Sequence, residues 1–292
     1  MYLLHPKILT ILYFILAGNL KSAELLHGPK SCRIPDLPEA VYGHVLLLTS
    51  NGDNILSCGG SGNKNCYNLD IKGERWNKHS TLSTVRWYST AVTMANGVYI
   101  FGGISSPTTY EILPKNNNGV WQAGPTTIPN GFQYGCGLKI SEEEILLISG
   151  SGTENRIINF NTRTNSFSTR ESTLQQGRRL HSCVLLNDLI LVVGGRDANG
   201  NTLSSTEVIP LANGIPRYGG NLNTARRYFG LATIGGHYKK SISFGGYDGS
   251  NKLSTVEEWD EDTAQWKLAP YSMEEGKYSF ASLAVPPQMV CP

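Results

Sequence analysis

Short runs of β-branched, leucine and aromatic residues recur along the chain, and most of them stop at a pair of glycines. Residues 54–58, 98–101, 189–193 and 241–244 lead into Gly59-Gly60, Gly102-Gly103, Gly194-Gly195 and Gly245-Gly246, and residues 145–148 into the degenerate Ser149-Gly150. Runs this short, rich in strand-forming side chains and closed by glycine, predict strands rather than helices. Upstream of each lies another such run, at 43–48, 88–94, 134–140, 181–186 and 228–234. Between the two sit Asn51-Gly52, Asn96-Gly97, Asn187-Asp188 and Gly235-Gly236, residues suited to hairpin turns. A third run follows the doublet, as at 109–113, 156–161 and 254–260. An aromatic residue then opens a fourth: Trp76, Trp121, Phe167 or Trp266, with Ile215-Pro216 in that place in the fourth unit.

Counted on the second glycine, the units are spaced by 43, 47, 45 and 51 residues. A period in this range is the signature of a repeat architecture. Each unit reads as a four-stranded antiparallel sheet, which cannot bury both faces alone and does so by stacking radially on its neighbours, as in a β-propeller. The surplus of glycine, 32 residues in 292, then belongs to strand ends crowded near an axis, where side chains do not fit and permissive dihedrals are needed. The run Phe244-Gly-Gly-Tyr-Asp-Gly-Ser-Asn-Lys-Leu-Ser-Thr-Val-Glu-Glu-Trp, followed by Trp266, resembles a kelch repeat, and Val193-Gly-Gly-Arg-Asp-Ala-Asn-Gly-Asn-Thr-Leu-Ser-Ser-Thr-Glu is similar to one. The resemblance, weaker in the other units, extends over residues 24–292 and implies an all-β kelch propeller. Five complete units run from about residue 42 to 273, and 278–285 is a sixth copy of the innermost strand. Residues 31–37 resemble those that precede the next unit elsewhere. The expected ring therefore has six blades with a short composite closing blade; five blades and an extra strand is the alternative.

Residues 1–23 break the pattern. Lys7, an apolar run over 8–16 and a small-residue tail read as a secretory signal peptide. The run is too short to span a bilayer, which takes about 20 residues. Residues 24–292 are then one secreted, soluble, extracellular domain with no membrane span. Without Lys7 and Lys21 the basic and acidic residues balance at 23 each, so charge offers no basic face for nucleic acid. The remaining chain holds an even set of six cysteines, which in this compartment is expected to pair. In the ring that the resemblance implies, Cys32 and Cys291 meet in the closing blade, Cys58 and Cys66 join neighbouring strands of one blade, and Cys136 and Cys183 join innermost strands of adjacent blades.

Candidate chemistry is sparse. His44 and His181 share one repeat position, read as filled elsewhere by Tyr88, Tyr134, Tyr228 and Tyr278, which suits structural bracing better than a ligand set. The kelch-type copper enzyme galactose oxidase marks an oxidase as the alternative function, with a glycosidase beside it. No cluster matches that oxidase's histidine, tyrosine and cysteine–tyrosine constellation, no sialidase-type Asp box is present, and no carboxylate pair stands out as acid and base. No cofactor or metal is expected. Arg86, Arg179 and Arg227 each precede an innermost strand, where connecting loops gather around one rim of the central channel. Loops on a rigid scaffold commonly carry binding residues, and arginine suits bidentate recognition of carboxylates. In intracellular kelch relatives this rim often receives an acidic peptide. The expectation is a monomeric, non-catalytic module that binds a protein or peptide at the rim, or an extracellular matrix component, with no nucleic-acid partner.

Overall fold

The computed structural model of the chain describes residues 13–17, 23–26, 34–116, 119–151, 154–211, 214–234, 240–286 and 289. Strands β1 (Tyr13–Ala17) and β2 (Ala23–Leu26) come first. Blade 1 follows as β3 (Val45–Leu48), β4 (Ile55–Cys58), β5 (Asn65–Asp70) and β6 (Arg75–Thr81). Blade 2 comprises β7 (Thr90–Met94), β8 (Gly97–Phe101), β9 (Tyr110–Pro114) and β10 (Gln122–Ala123). Blade 3 is built from β11 (Cys136–Lys139), β12 (Glu144–Ile148), β13 (Ile157–Asn161) and β14 (Ser166–Thr169). Blade 4 contains β15 (Ser182–Leu186), β16 (Leu189–Val193), β17 (Thr206–Pro210) and β18 (Arg217–Tyr218). Blade 5 contains β19 (Gly230–Ile234), β20 (Lys240–Phe244), β21 (Thr255–Asp260) and β22 (Gln265–Ser272), and β23 (Ala281–Val285) ends the set.

Every blade is a four-stranded antiparallel meander, its strands hydrogen-bonded in chain order. The innermost strands β3, β7, β11, β15, β19 and β23 contact one another in turn, and β23 touches β3 to close the ring. The second strand of each blade has neighbouring sheets on both faces. That explains why residues 145–148 and 189–193 are continuous apolar runs without polar alternation, and why Leu56, Leu146 and Val192 are fully buried. Tryptophans at the outer strands tie blades 2 and 5 to the blade before: Trp121 Nε1 donates to Ser80 Oγ at 3.0 Å and Trp266 Nε1 to Thr206 Oγ1 at 2.9 Å.

The blade count corrects the primary expectation. Five four-stranded blades are formed, the alternative reading, and no sixth of that size among the described residues. β23 belongs to a three-stranded sheet in the order β2-β1-β23, with Tyr13 opposite Val285 and Ala17 opposite Ala281. β1 lies inside the segment read as a leader. Residues 34–37, expected to help complete a composite blade, form no strand. Pro35 cannot donate to a ladder, and its carbonyl instead accepts Trp76 Nε1 at 2.9 Å while Ile34 and Leu37 pack with Trp76 and Val285.

The glycine doublets have a physical cause. The first glycine of each pair lies at φ between 60° and 71°. A Cβ on Gly59 or Gly194 would stand 2.6 Å from the carbonyl oxygen of Arg86 or Arg226 in the next blade. The second glycine donates its N–H to that same carbonyl, Gly60 to Arg86 at 2.8 Å and Gly195 to Arg226 at 2.9 Å. The pairs are therefore backbone contacts between blades. Blade 3 substitutes Ser149 at φ 57°, whose hydroxyl donates to the Arg178 carbonyl at 2.5 Å.

Of the expected disulfides, Cys58–Cys66 and Cys136–Cys183 are present, and the cysteines among the described residues are all paired. Cys58 and Cys66 are directly opposite on β4 and β5, and Cys136–Cys183 links β11 to β15. The Cys32–Cys291 pair lies outside the described residues. No helix among them is long and apolar enough to cross a membrane.

Candidate functional site

The arginines ahead of the innermost strands fall into two groups. Arg86, Arg178 and Arg226 are buried and each pairs with a buried glutamate on the third strand of its own blade: Arg86–Glu111 at 2.9 Å, Arg178–Glu207 at 2.8 Å and Arg226–Glu257 at 2.6 Å. Each arginine also donates through Nη1, at 2.9 Å, to the carbonyl of the first glycine of its blade's doublet: Gly102, Gly194 and Gly245. The glutamates accept backbone N–H groups of the connector from the preceding blade, Ser83, Gln175 and Asn223, at 2.7, 2.8 and 2.7 Å. Connector, doublet and third strand are thus held by one buried pair. Burial would raise the Glu111 carboxyl, but the Ser83 N–H and the Arg86 guanidinium outweigh it and hold the group below its ordinary range. Blade 1 reverses the arrangement, with connector Glu39 accepting Tyr67 Oη at 2.6 Å and Asn65 Nδ2 at 3.2 Å. Blade 3 has apolar Phe132 and Ile158 in the corresponding places, both buried.

Arg86 is therefore not a rim residue, contrary to the sequence expectation: its side chain is 1% exposed and its polar atoms are committed to this clamp. Arg179 and Arg227 are the residues one step further along, and both are partly exposed. Each bridges the first residue after its blade's doublet, Arg179 with Arg196 and Arg227 with Tyr247, as Trp87 does with Ile104 in blade 2. The sequence reading missed Arg196; its place after Gly194-Gly195 becomes meaningful only once the strands pair. Arg227 stacks over the Tyr247 ring at 5.2 Å, and Arg179 Nη1 lies 3.7 Å from Glu154.

The channel mouth is built by a ring of backbone hydrogen bonds. Tyr88 N donates to Gly43 O at 2.7 Å, Tyr134 N to Tyr88 O at 3.0 Å, and Leu180 N to Tyr134 O at 2.7 Å. Tyr228 N then donates to Leu180 O and Ser279 N to Tyr228 O, both at 3.1 Å. All six residues have positive φ, from 53° to 66°. This turn sends the side chains into the channel. Tyr88 reaches across it, with Oη 2.7 Å from Ser279 Oγ and its ring 4.7 Å from Tyr134 and 5.4 Å from Tyr228. Burial raises the Tyr228 phenol, opposed by its Tyr88 hydrogen bond and by the positive charges of Arg227, Arg196 and Arg179. Arg196 bridges Arg179, and the hydrogen bond from Gly195 N to Arg226 O sets Arg227 of the next blade alongside, so the three arginines neighbour one another on one side of the mouth. Along the other side run Tyr247, Tyr278, Tyr42 and Trp87, with ring centres 5.4 Å apart in the pairs Tyr247–Tyr278 and Tyr42–Trp87.

A cavity of about 160 Å³, lined by residues that include Tyr88, Tyr134, Tyr228, His44 and His181, lies in the channel. The histidines follow the turn residues by one position, so their repeat equivalents are Ser89, Gly135, Phe229 and Phe280 rather than the tyrosines. Burial lowers His44 to about 4 and His181 to about 3. The ring nitrogens of His44 have no hydrogen-bond partner among the described residues. Both histidines are neutral at physiological pH. Among the described residues, no group of three or more His, Cys, Asp or Glu side chains is placed to hold a metal ion.

The kelch motif family model matches residues 177–209 and 243–273. These stretches contain the Arg178–Glu207 pair, blade 4 through β17, and the doublet, third strand and tryptophan of blade 5. A search of the curated proteins finds no match. The chain thus carries two matched kelch motifs within a β-propeller whose blades repeat the same doublet contacts around the ring, which supports a kelch-repeat propeller.

Proposed function

We propose that this kelch propeller is a secreted, monomeric module that binds a protein or peptide at the Arg179–Arg196–Arg227 side of its channel mouth and has no catalytic activity of its own. Kelch propellers suggest protein-binding scaffolds, and the two disulfides are consistent with an extracellular setting. The observation that carries the reading is the placement of three partly exposed arginines side by side at the rim, Arg196 bridged to Arg179 and set beside Arg227 by the Gly195 N to Arg226 O hydrogen bond. Buried arginines elsewhere have an internal glutamate each; of these three, Arg179 alone has a carboxylate within 4 Å among the described ion pairs, Glu154. Paired carboxylates of an acidic segment complete the hydrogen bonding of such a cluster.

A random peptide library panned against the full chain and against Arg179→Gln/Arg196→Gln/Arg227→Gln tests this. Glutamine keeps most of the packing stem and removes the charge. The expected result is enrichment of peptides with clustered Asp and Glu on the unaltered protein and its loss on the triple variant, with unchanged melting temperature. The same enrichment on both proteins would contradict it. Metal analysis of the purified protein checks the non-catalytic part: stoichiometric copper would favour an oxidase.

A further inference from the structure

The three arginines occupy only part of the mouth, and a carboxylate ligand would leave the aromatic remainder unused. The rings form one connected surface. From Arg227 over Tyr247 at 5.2 Å, contacts pass to Tyr278 at 5.4 Å, to Tyr228 at 6.1 Å, to Tyr88 at 5.4 Å, and then to Trp87 and Tyr42 at 5.4 Å each. These side chains are partly exposed, Tyr42 by 36%. Cation and ring faces therefore abut within one side-chain length, and Tyr228 sits at the junction.

A ligand that satisfies both surfaces at once carries a flat aromatic ring with an anion at its far end. We propose that the rim accepts a tyrosine side chain esterified by a tetrahedral oxyanion, sulfate or phosphate, on an otherwise extended peptide. The ring packs against the exposed edges of Tyr278 and Tyr228, and the ester oxygens meet the guanidinium groups of Arg227 and Arg196. Arginine forks match tetrahedral oxyanions as well as carboxylates, and ring stacking adds contact that an aspartate or glutamate side chain cannot make. Competing carboxylates at the rim are engaged locally. Asp197 and Asp248 accept hydrogen bonds from Asn201 and Asn251 in their own loops, and Glu154 lies against Arg179. This specificity rests on the binding role proposed above.

The test uses four peptide pools, randomised on both sides of a fixed central residue that is tyrosine, sulfotyrosine, phosphotyrosine or glutamate. Each is captured on the immobilised full chain and counted by mass spectrometry. At least one ester pool is expected to be retained about ten-fold over the tyrosine and glutamate pools, and the better-retained ester identifies the source of the anion. Arg196→Gln/Arg227→Gln should remove that excess, and Tyr278→Leu should reduce it while leaving glutamate retention unchanged. Equal retention of the glutamate and ester pools would overturn the aryl-ester specificity but leave acidic-peptide binding standing. Retention of no charged pool above the tyrosine pool would overturn both.

Discussion

Removing Glu257 tests the buried clamps most severely. Its carboxylate and the Arg226 guanidinium are both fully buried and 2.6 Å apart. It also accepts the N–H groups of Asn223 at 2.7 Å and Thr224 at 3.1 Å. Glu257→Ala leaves the guanidinium with neutral acceptors only, the Gly245 and Thr255 carbonyls and Thr255 Oγ1, and strands two connector N–H groups. Breaking a buried pair from one side costs about 3–5 kcal/mol, and each buried donor left without a partner about 1–3 kcal/mol. These contributions overlap, so the expected loss is about 4 kcal/mol, near 10 °C in Tm for a chain of this size. Arg226→Met should lose a similar amount, because it buries an unpaired carboxylate. The double variant Arg226→Met/Glu257→Leu removes both charges and should lose less than the sum by about 2 kcal/mol. Urea titrations followed by tryptophan fluorescence and far-UV dichroism, with coincident transitions as the check on two-state behaviour, provide the numbers. Single variants that each lose less than about 1 kcal/mol, with additive effects, would refute the assignment of the clamp as a joint between blades.

Gly194→Ala forces a side chain to φ 60° and places its Cβ 2.6 Å from the Arg226 carbonyl oxygen. It should lose more than the roughly 1–2 kcal/mol of a left-handed residue alone, whereas Ser149→Gly in blade 3 should lose less; the two melting temperatures compared side by side decide it. His44 is held at about 4 in the folded protein against 6.5 in the unfolded chain. The unfolded chain then binds more protons as pH falls from 6.5 towards 4, so stability drops across that window and is level above it. The full shift corresponds to about 3 kcal/mol. His44→Phe, which copies Phe229 at the same repeat position, should flatten the fall in denaturation free energy between pH 7 and pH 4.5; an unchanged slope would contradict the burial of a neutral imidazole.

The repeat was readable because the doublets recur for a reason intrinsic to the fold: only glycine brings one blade's strand end against the next blade's carbonyl without a clash, save where Ser149 is tolerated. Strand order and two disulfides followed from that phase. Phase alone did not separate Arg178 from Arg179, or Arg226 from Arg227, because adjacent arginines hide which one turns inward. The glutamate partners would have resolved this, but they lie at unequal distances, 25 residues from Arg86 to Glu111 and 29 from Arg178 to Glu207, since the loops between them vary. The tyrosines and histidines were merged for a similar reason, a one-residue step at the left-handed turn. The pairing of β1 with β23 joins segments far apart in sequence, which no local pattern encodes.

Arginine-selective modification with phenylglyoxal, mapped by mass spectrometry on the folded protein, separates the two groups of arginines directly. Arg179, Arg196 and Arg227 are expected to react within minutes, and more slowly once a rim-bound acidic peptide is present. Arg86, Arg178 and Arg226 should react only when denaturant opens the blades. Modification of the buried set at the rate of the rim set, or a rim set that stays unreactive in the free protein, would contradict the division between arginines that join blades and arginines that bind.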